Sequence, residues 1–152
     1  MKRSTFISNV IVWGALTVAC VAFLAWTVSV NGEFEDVLPL ALSIYARPVL
    51  AFSLGALVAT LIVKKIDLKL RHAWKLAWLI LGVVPAALFL LSPLAIPLLP
   101  DTVATVFAVV LIVAMAIPVL FLIFGIFYGL SLSGLKTQDD IDAEEAEFED
   151  AE

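Results

Sequence analysis

The sequence predicts an all-α integral membrane protein: four transmembrane helices in an up-down bundle, followed by a disordered acidic C-terminal tail. Three observations predict it. Of the 152 residues, 63% are hydrophobic and only 15% charged, and the mean hydropathy is +1.11. That leaves too little polar material to give most elements of a soluble domain a wet face. The charges also collect at the ends of long apolar runs, as expected when each run crosses about 30 Å of hydrocarbon with about 20 helical residues. Finally, no run alternates apolar and polar positions as barrel strands do, which leaves helices as the spanning form.

The predicted transmembrane domain covers residues 1–135, with spans at about 6–30, 37–63, 74–91 and 102–132, and the tail covers 136–152. The first run follows "MKR" and so begins like a signal peptide. It is too long for a typical signal-peptide core, however, carries Trp13 and Trp26, and lacks a small-x-small cleavage site, so it reads as an uncleaved helix. Acylation of Cys20 within "LTVAC" would make a lipoprotein, but "VAFLAW" continues apolar beyond it. As the single cysteine, Cys20 has no partner for a disulfide within the chain. The connections are an acidic turn "NGEFED", a basic segment "KKIDLKLRHAWK", and "SPLAIPLLPD", whose three prolines cannot continue a regular helix.

Orientation follows from the basic residues. Lys2 and Arg3 precede the first span, Lys64, Lys65, Lys69, Arg71 and Lys75 surround the second connection, and Lys136 follows the fourth span. The other two connections carry Glu33, Glu35, Asp36 and Asp101 with no lysine or arginine. The positive-inside rule therefore predicts both termini and the basic connection in the cytoplasm. Short loops and compact size favour a bacterial inner membrane.

Arg47 interrupts the second span, where a cation at mid-bilayer costs about 2.5–3.5 kcal/mol. Two placements are open. In one, a helix begun near Asp36 carries Arg47 about 16 Å inward, where Ser43, Tyr45, carbonyls freed by Pro48 or the Thr17 hydroxyl must satisfy it. In the other, "VLPLALSIYA" lies along the outer interface and the span starts at Pro48 as the first helical residue, leaving Arg47 to snorkel outward. No acidic residue lies within any span, which sets the chain apart from proton-coupled exporters that need a membrane carboxylate.

Small residues mark faces on which helices can approach. Ala51, Gly55 and Ala59 recur at four-residue spacing in the second run, and Gly125 and Gly129 in the fourth. These faces either close the bundle or join copies of it. "PVLAFSLG" and "PVLFLIFG" echo one another in two helices expected to run in the same direction, as parallel hairpin repeats would.

On the predicted cytoplasmic side, Lys64, Lys65, Lys69, Arg71 and Lys75 are candidate contacts for anionic headgroups, with Ile66, Leu70 and Trp74 on one helical face. The tail is expected to stay disordered by self-repulsion, and Ile141 and Phe148, seven residues apart, are candidate anchors for a basic partner. On the other side "VLPLAL" and "SPLAIPLLPD" form an apolar rim, which lies in the headgroup layer or docks another membrane protein.

The sequence contains no P-loop, Rossmann glycine pattern, nucleophile elbow, zinc-type cluster or intramembrane histidine pair for haem. The expectation is a protein that is not an enzyme and uses no cofactor, metal or nucleic acid. Its expected partners are the lipid bilayer and either another membrane protein or a second copy. The expected function is a non-catalytic accessory or scaffold subunit of a larger membrane assembly. The alternative is a self-oligomerising permeability, immunity or small-solute transport protein.

Overall fold

The structure, a computed structural model, describes residues 3–30 and 37–135. These residues form five helices: α1 (Arg3–Ser29), α2 (Val37–Lys65), α3 (His72–Ala95), α4 (Asp101–Ala116) and α5 (Pro118–Ser131). A 3-10 turn (Ile96–Leu98) follows α3, and two-residue strands β1 (Lys69–Leu70) and β2 (Gly134–Leu135) flank the bundle. Three helices are long and apolar enough to cross a membrane, α1, Leu42–Lys65 of α2 and His72–Ser92 of α3, and α4 with α5 supply a fourth crossing if taken together. This is the architecture of an integral membrane protein. The surface of α1 shows why: Ile7, Ile11, Val12, Val18, Val21 and Val28 are all exposed, on several sides of one helix. Lipid tolerates such a helix and water does not.

The centre of the bundle is the pair α2 and α5, which run parallel in the register Gly55–Leu122, Ala56–Gly125 and Ala59–Gly129. A Cβ on Gly55 would fall inside the Leu122 carbonyl, and one on Gly125 inside the Phe52 carbonyl. The two backbones therefore touch where side chains would normally separate them. On the other flank of α5, α3 runs antiparallel to it: Lys75 reaches the carbonyl of Ser133, Trp78 meets Phe127 and Phe89 meets Phe121. A Cβ on Gly82 would stand 2.7 Å from the Tyr128 nitrogen and 2.8 Å from the Phe124 carbonyl oxygen, so this crossing is also glycine-dependent. Along the other side of α2 lies α1, with Trp13 against Phe52 and Thr17 against Ser53. We call the end bearing Lys64 and Lys65 the basic end and the opposite one the far end.

At the far end Phe89, Leu111 and Phe121 form a buried cluster, with Tyr45, Phe52, Phe107 and Phe124 packed around it. At the basic end β1 and β2 pair in parallel, Lys69 with Gly134 and Leu70 with Leu135. The Gly134 amide donates to the Leu68 carbonyl at 2.8 Å, so the chain leaving α5 is tied to the connection between α2 and α3.

The structure differs from the sequence reading in three places and decides a fourth that was open. The run at 102–132 is not one straight helix: α4 and α5 meet at a bend of 86°. Pro118 has no amide to continue α4 and pushes Ile117 out of the helical region, to φ −118 and ψ 74. In contrast, of the two readings open for Pro48, the structure has the one in which it does not start a helix. It lies inside a continuous α2 that begins at Val37. Similarly α3 runs through Pro93 to Ala95. The Phe89 carbonyl, which Pro93 cannot serve, accepts a hydrogen bond from the Ser92 hydroxyl at 2.6 Å. Lastly, Ile66, Leu70 and Trp74 do not share one helix, because α2 ends at Lys65, Asp67 takes a positive φ of 47°, and β1 is extended.

The glycine contacts predict a sharp contrast. Gly55→Ala should lower unfolding stability in detergent by at least about 2 kcal/mol, since its methyl meets backbone that cannot yield. Gly14→Ala, with nothing within 4 Å of the new carbon, should leave it unchanged or raise it by several tenths of a kcal/mol. Denaturant or thermal titration of the two purified variants checks this.

Candidate functional site

Polar side chains inside the bundle gather at a few points. Asn9 of α1 is the largest of these junctions. Its Oδ1 accepts from the Tyr128 hydroxyl at 2.8 Å and from Trp13 Nε1 at 3.1 Å, while its Nδ2 donates to the Thr5 carbonyl at 2.8 Å. The Trp13 ring stands edge-on to Tyr128, with centroids 5.3 Å apart. One amide thus ties α1 to α5, two helices that otherwise barely meet. A second tie joins α1 to α2, where the Thr17 and Ser53 hydroxyls lie 3.0 Å apart and each also bonds a carbonyl of its own helix. Not every hydroxyl is so placed: Thr60 Oγ1 and Ser133 Oγ are shut away without a hydrogen-bond partner among the described residues.

Between α1 and α3, floored by α2 and α5, lies a cavity of about 450 Å³ lined by Leu16, Pro48, Phe52, Ala86, Leu90 and Phe121 among others. Trp13 and Tyr128 border it, but their polar atoms are turned to Asn9. The space, open along one side, therefore offers nothing to a polar ligand.

Arg47 lies elsewhere. Two residues along a helix are about 200° apart, so Tyr45 and Arg47 face opposite ways. Tyr45 turns to the core and meets Phe89 edge-on at 5.4 Å, whereas Arg47 is exposed. Ser43 is half-buried and engaged in a contact of its own. The three are not brought together as one polar site. Arg47 instead borders a shallow trough of about 290 Å³ between α2 and α5, with Leu50, Ala51, Leu54, Pro118, Val119 and Leu122. Among the described residues it makes no hydrogen bond or ion pair. Along α2 it stands about 26 Å from Lys64.

Ala51, Gly55, Ala59, Gly125 and Gly129 all lie at the contact between α2 and α5, inside one chain. The five basic residues are not equivalent. Lys64 and Lys65 are exposed in the last turn of α2. Lys69 and Arg71 are exposed but engaged. Lys75 donates to the Ser133 carbonyl at 2.6 Å, a cation held just past the end of α5, where the helix dipole favours it. Ile141 and Phe148 lie outside the described residues. Among the described residues no group of histidine, cysteine, aspartate or glutamate could hold a metal ion.

Sequence reasoning passed over Asn9 and Tyr128. Asn9 and Trp13 at i and i+4 gave a local signal, but nothing announced that Tyr128, 119 positions away, completes the junction. No family model, curated protein or solved structure matches this chain.

Two substitutions that each remove one hydroxyl should therefore differ in their effect. Tyr128→Phe removes one bond of the Asn9 junction and should lower stability by about 1 kcal/mol. Thr60→Val removes a hydroxyl that has no partner and should be neutral or stabilising by a similar amount. Equilibrium unfolding in one detergent compares them directly.

Proposed function

We propose that the protein is a non-catalytic accessory or scaffold subunit of a larger membrane assembly, held to it through α4. The observation that carries this reading is the exposed valine surface of α4. Phe107 and Leu111 tuck one stripe of the helix against the far-end cluster. Val103, Val106, Val109, Val110 and Val113 remain exposed.

Depth makes that surface informative. The 26 Å between Arg47 and Lys64 approaches the thickness of the hydrocarbon core, so Arg47 belongs near one headgroup layer and Lys64 near the other. Pro118 borders the same trough as Arg47, which puts the start of α5 at that level. Turned by 86°, α4 then lies in the plane of the far boundary. A helix resting there by itself carries a charged or polar face. This one has only Asp101, Thr102 and Thr105, all in its first turns. A contiguous apolar surface without a polar side suits contact with another protein in the membrane. Leu98, 85% exposed in the preceding turn, extends it.

The self-assembling alternative loses its main support, because Gly55, Gly125 and Gly129 are used within the chain. The positive-inside rule supports placing the basic end, the N-terminus and the acidic tail in the cytoplasm, and the short loops and compact size favour a bacterial inner membrane. In that orientation Ile141 and Phe148 belong to the cytoplasmic tail as candidate anchors for a basic partner, and α4 meets the assembly at the outer boundary.

Photo-crosslinking residues introduced at Val106 and Val109 in the native host should give one discrete heterologous adduct of defined size, and the same residue at Val58 of α2 should give none. Val106→Trp with Val109→Trp should abolish co-purification of that species while the bundle stays folded. Recovery of self-adducts alone would overturn the proposal. Orientation is checked separately in a Cys20→Ser background: a cysteine at Asp101 should react with an impermeant maleimide in intact spheroplasts, and one at Lys69 only after permeabilisation.

A further inference from the structure

We propose that Arg47 and the trough beneath it form a site for one anionic phospholipid, whose phosphate sits on the guanidinium and one of whose chains lies along Leu50, Leu54, Val119 and Leu122. The inference does not depend on what α4 contacts. It starts from the charge. Arg47 is exposed, makes no hydrogen bond or ion pair among the described residues, and presents five donors in a planar fork that matches phosphate oxygens. Of the described carboxylates, Asp67 lies beyond the basic end of α2 and Asp101 at the start of α4, a whole helix away from Pro118, so neither compensates it.

Depth supplies the second argument. About 26 Å from Lys64, Arg47 stands near the far headgroup layer, and helical side chains lean toward the N-terminus of their helix, which here is outward. The guanidinium therefore reaches the level at which lipid phosphates lie. Shape supplies the third. Leu50, Ala51 and Leu54 follow Arg47 at i+3, i+4 and i+7, so they run down the same face of α2 directly below it. The first turn of α5, with Pro118, Val119 and Leu122, forms the opposite wall. A cation at the headgroup level above an apolar trough that descends along the helix complements a phospholipid, polar at one end and hydrocarbon below. The trough exists because Ala51 is small and because α5 starts abruptly at Pro118, leaving no preceding turn to fill it. A guanidinium without a carboxylate partner among the described residues favours a lipid whose phosphate is not paired with an amine of its own.

The test is native mass spectrometry of the intact chain, delipidated in detergent and titrated with dioleoyl phosphatidylglycerol, with dioleoyl phosphatidylcholine as the comparison. Wild type should retain one phosphatidylglycerol more tightly than any further copies and more tightly than phosphatidylcholine. Arg47→Gln should weaken that first event by at least about tenfold, in line with a charge-assisted bond, and Arg47→Lys by less. Val119→Trp keeps the charge but fills the trough; since Val119 is 61% exposed, the bundle should fold normally and lose the same first event. Equal retention by wild type and Arg47→Gln would overturn the proposal. So would displacement of the lipid by millimolar inorganic phosphate, which would mean that the trough contributes nothing.

Discussion

Where α2 meets α5, the backbones are in contact at Gly55, Gly125 and Gly129, and the remaining helices are arranged by that contact. Lipid gives apolar helices no reason to prefer each other to the bilayer, so association must come from packing and from polar bonds. Backbone contact multiplies the dispersion partners of each atom and brings peptide dipoles of neighbouring helices close together. It also fixes a register, since a slip of one residue would drive a side chain into a carbonyl. Two parallel helices in one chain require a returning helix between them in sequence, and α3 serves, closing on the free flank of α5 through Gly82. The fourth apolar run must then begin outside the pair it completes, because α2 and α3 already occupy the two sides of α5.

Pro118 is the device that permits this. The chain from α3 returns at the far end and has to enter the gap beside Gly55 going downward. A straight helix at 101–131 would continue well beyond the end of α2's apolar segment, past Arg47. Ending α4 at Ala116, with Ile117 out of the helical region, lets α5 start level with Arg47 and turns α4 aside. Pro48 lies at nearly the same level in α2 but produces no such break, since that helix is held along one side by α5 and along the other by α1. The same residue type thus gives a continuous helix or a corner according to the packing around it.

This contrast explains how much of the architecture could be read from the residues. Composition and the placement of charge were sufficient for membrane-crossing helices, since hydrocarbon thickness and backbone satisfaction leave no other form. The small positions at 51, 55, 59, 125 and 129 were visible as faces, but a face does not name what it meets; intrachain and interchain contact make the same demand on sequence. The outcome at each proline was not legible either, because it depends on the packing around the helix and on compensation within it, as when the Ser92 hydroxyl serves the Phe89 carbonyl that Pro93 cannot. The Asn9–Trp13–Tyr128 junction was beyond reach for a related reason. One asparagine in an apolar run is an isolated cost until tertiary packing brings it a partner.

The two ends of the bundle differ in how fully their surfaces are used. Toward the basic end, Lys75 holds the Ser133 carbonyl, β1 pairs with β2, and Asn9 gathers Trp13 and Tyr128, so charge and hydrogen bonds fix the helices there. Toward the far end the ties are ring contacts and dispersion, and space is left over: the 450 Å³ cavity, the trough below Arg47 and the exposed side of α4. Directional bonds tolerate little displacement, while apolar contacts can re-form after a shift at small cost. A bundle pinned by inter-helix hydrogen bonds at one end and, among the described residues, joined mainly by apolar contacts at the other can adjust its far end to a lipid or a neighbouring protein without disturbing the glycine register that defines the fold.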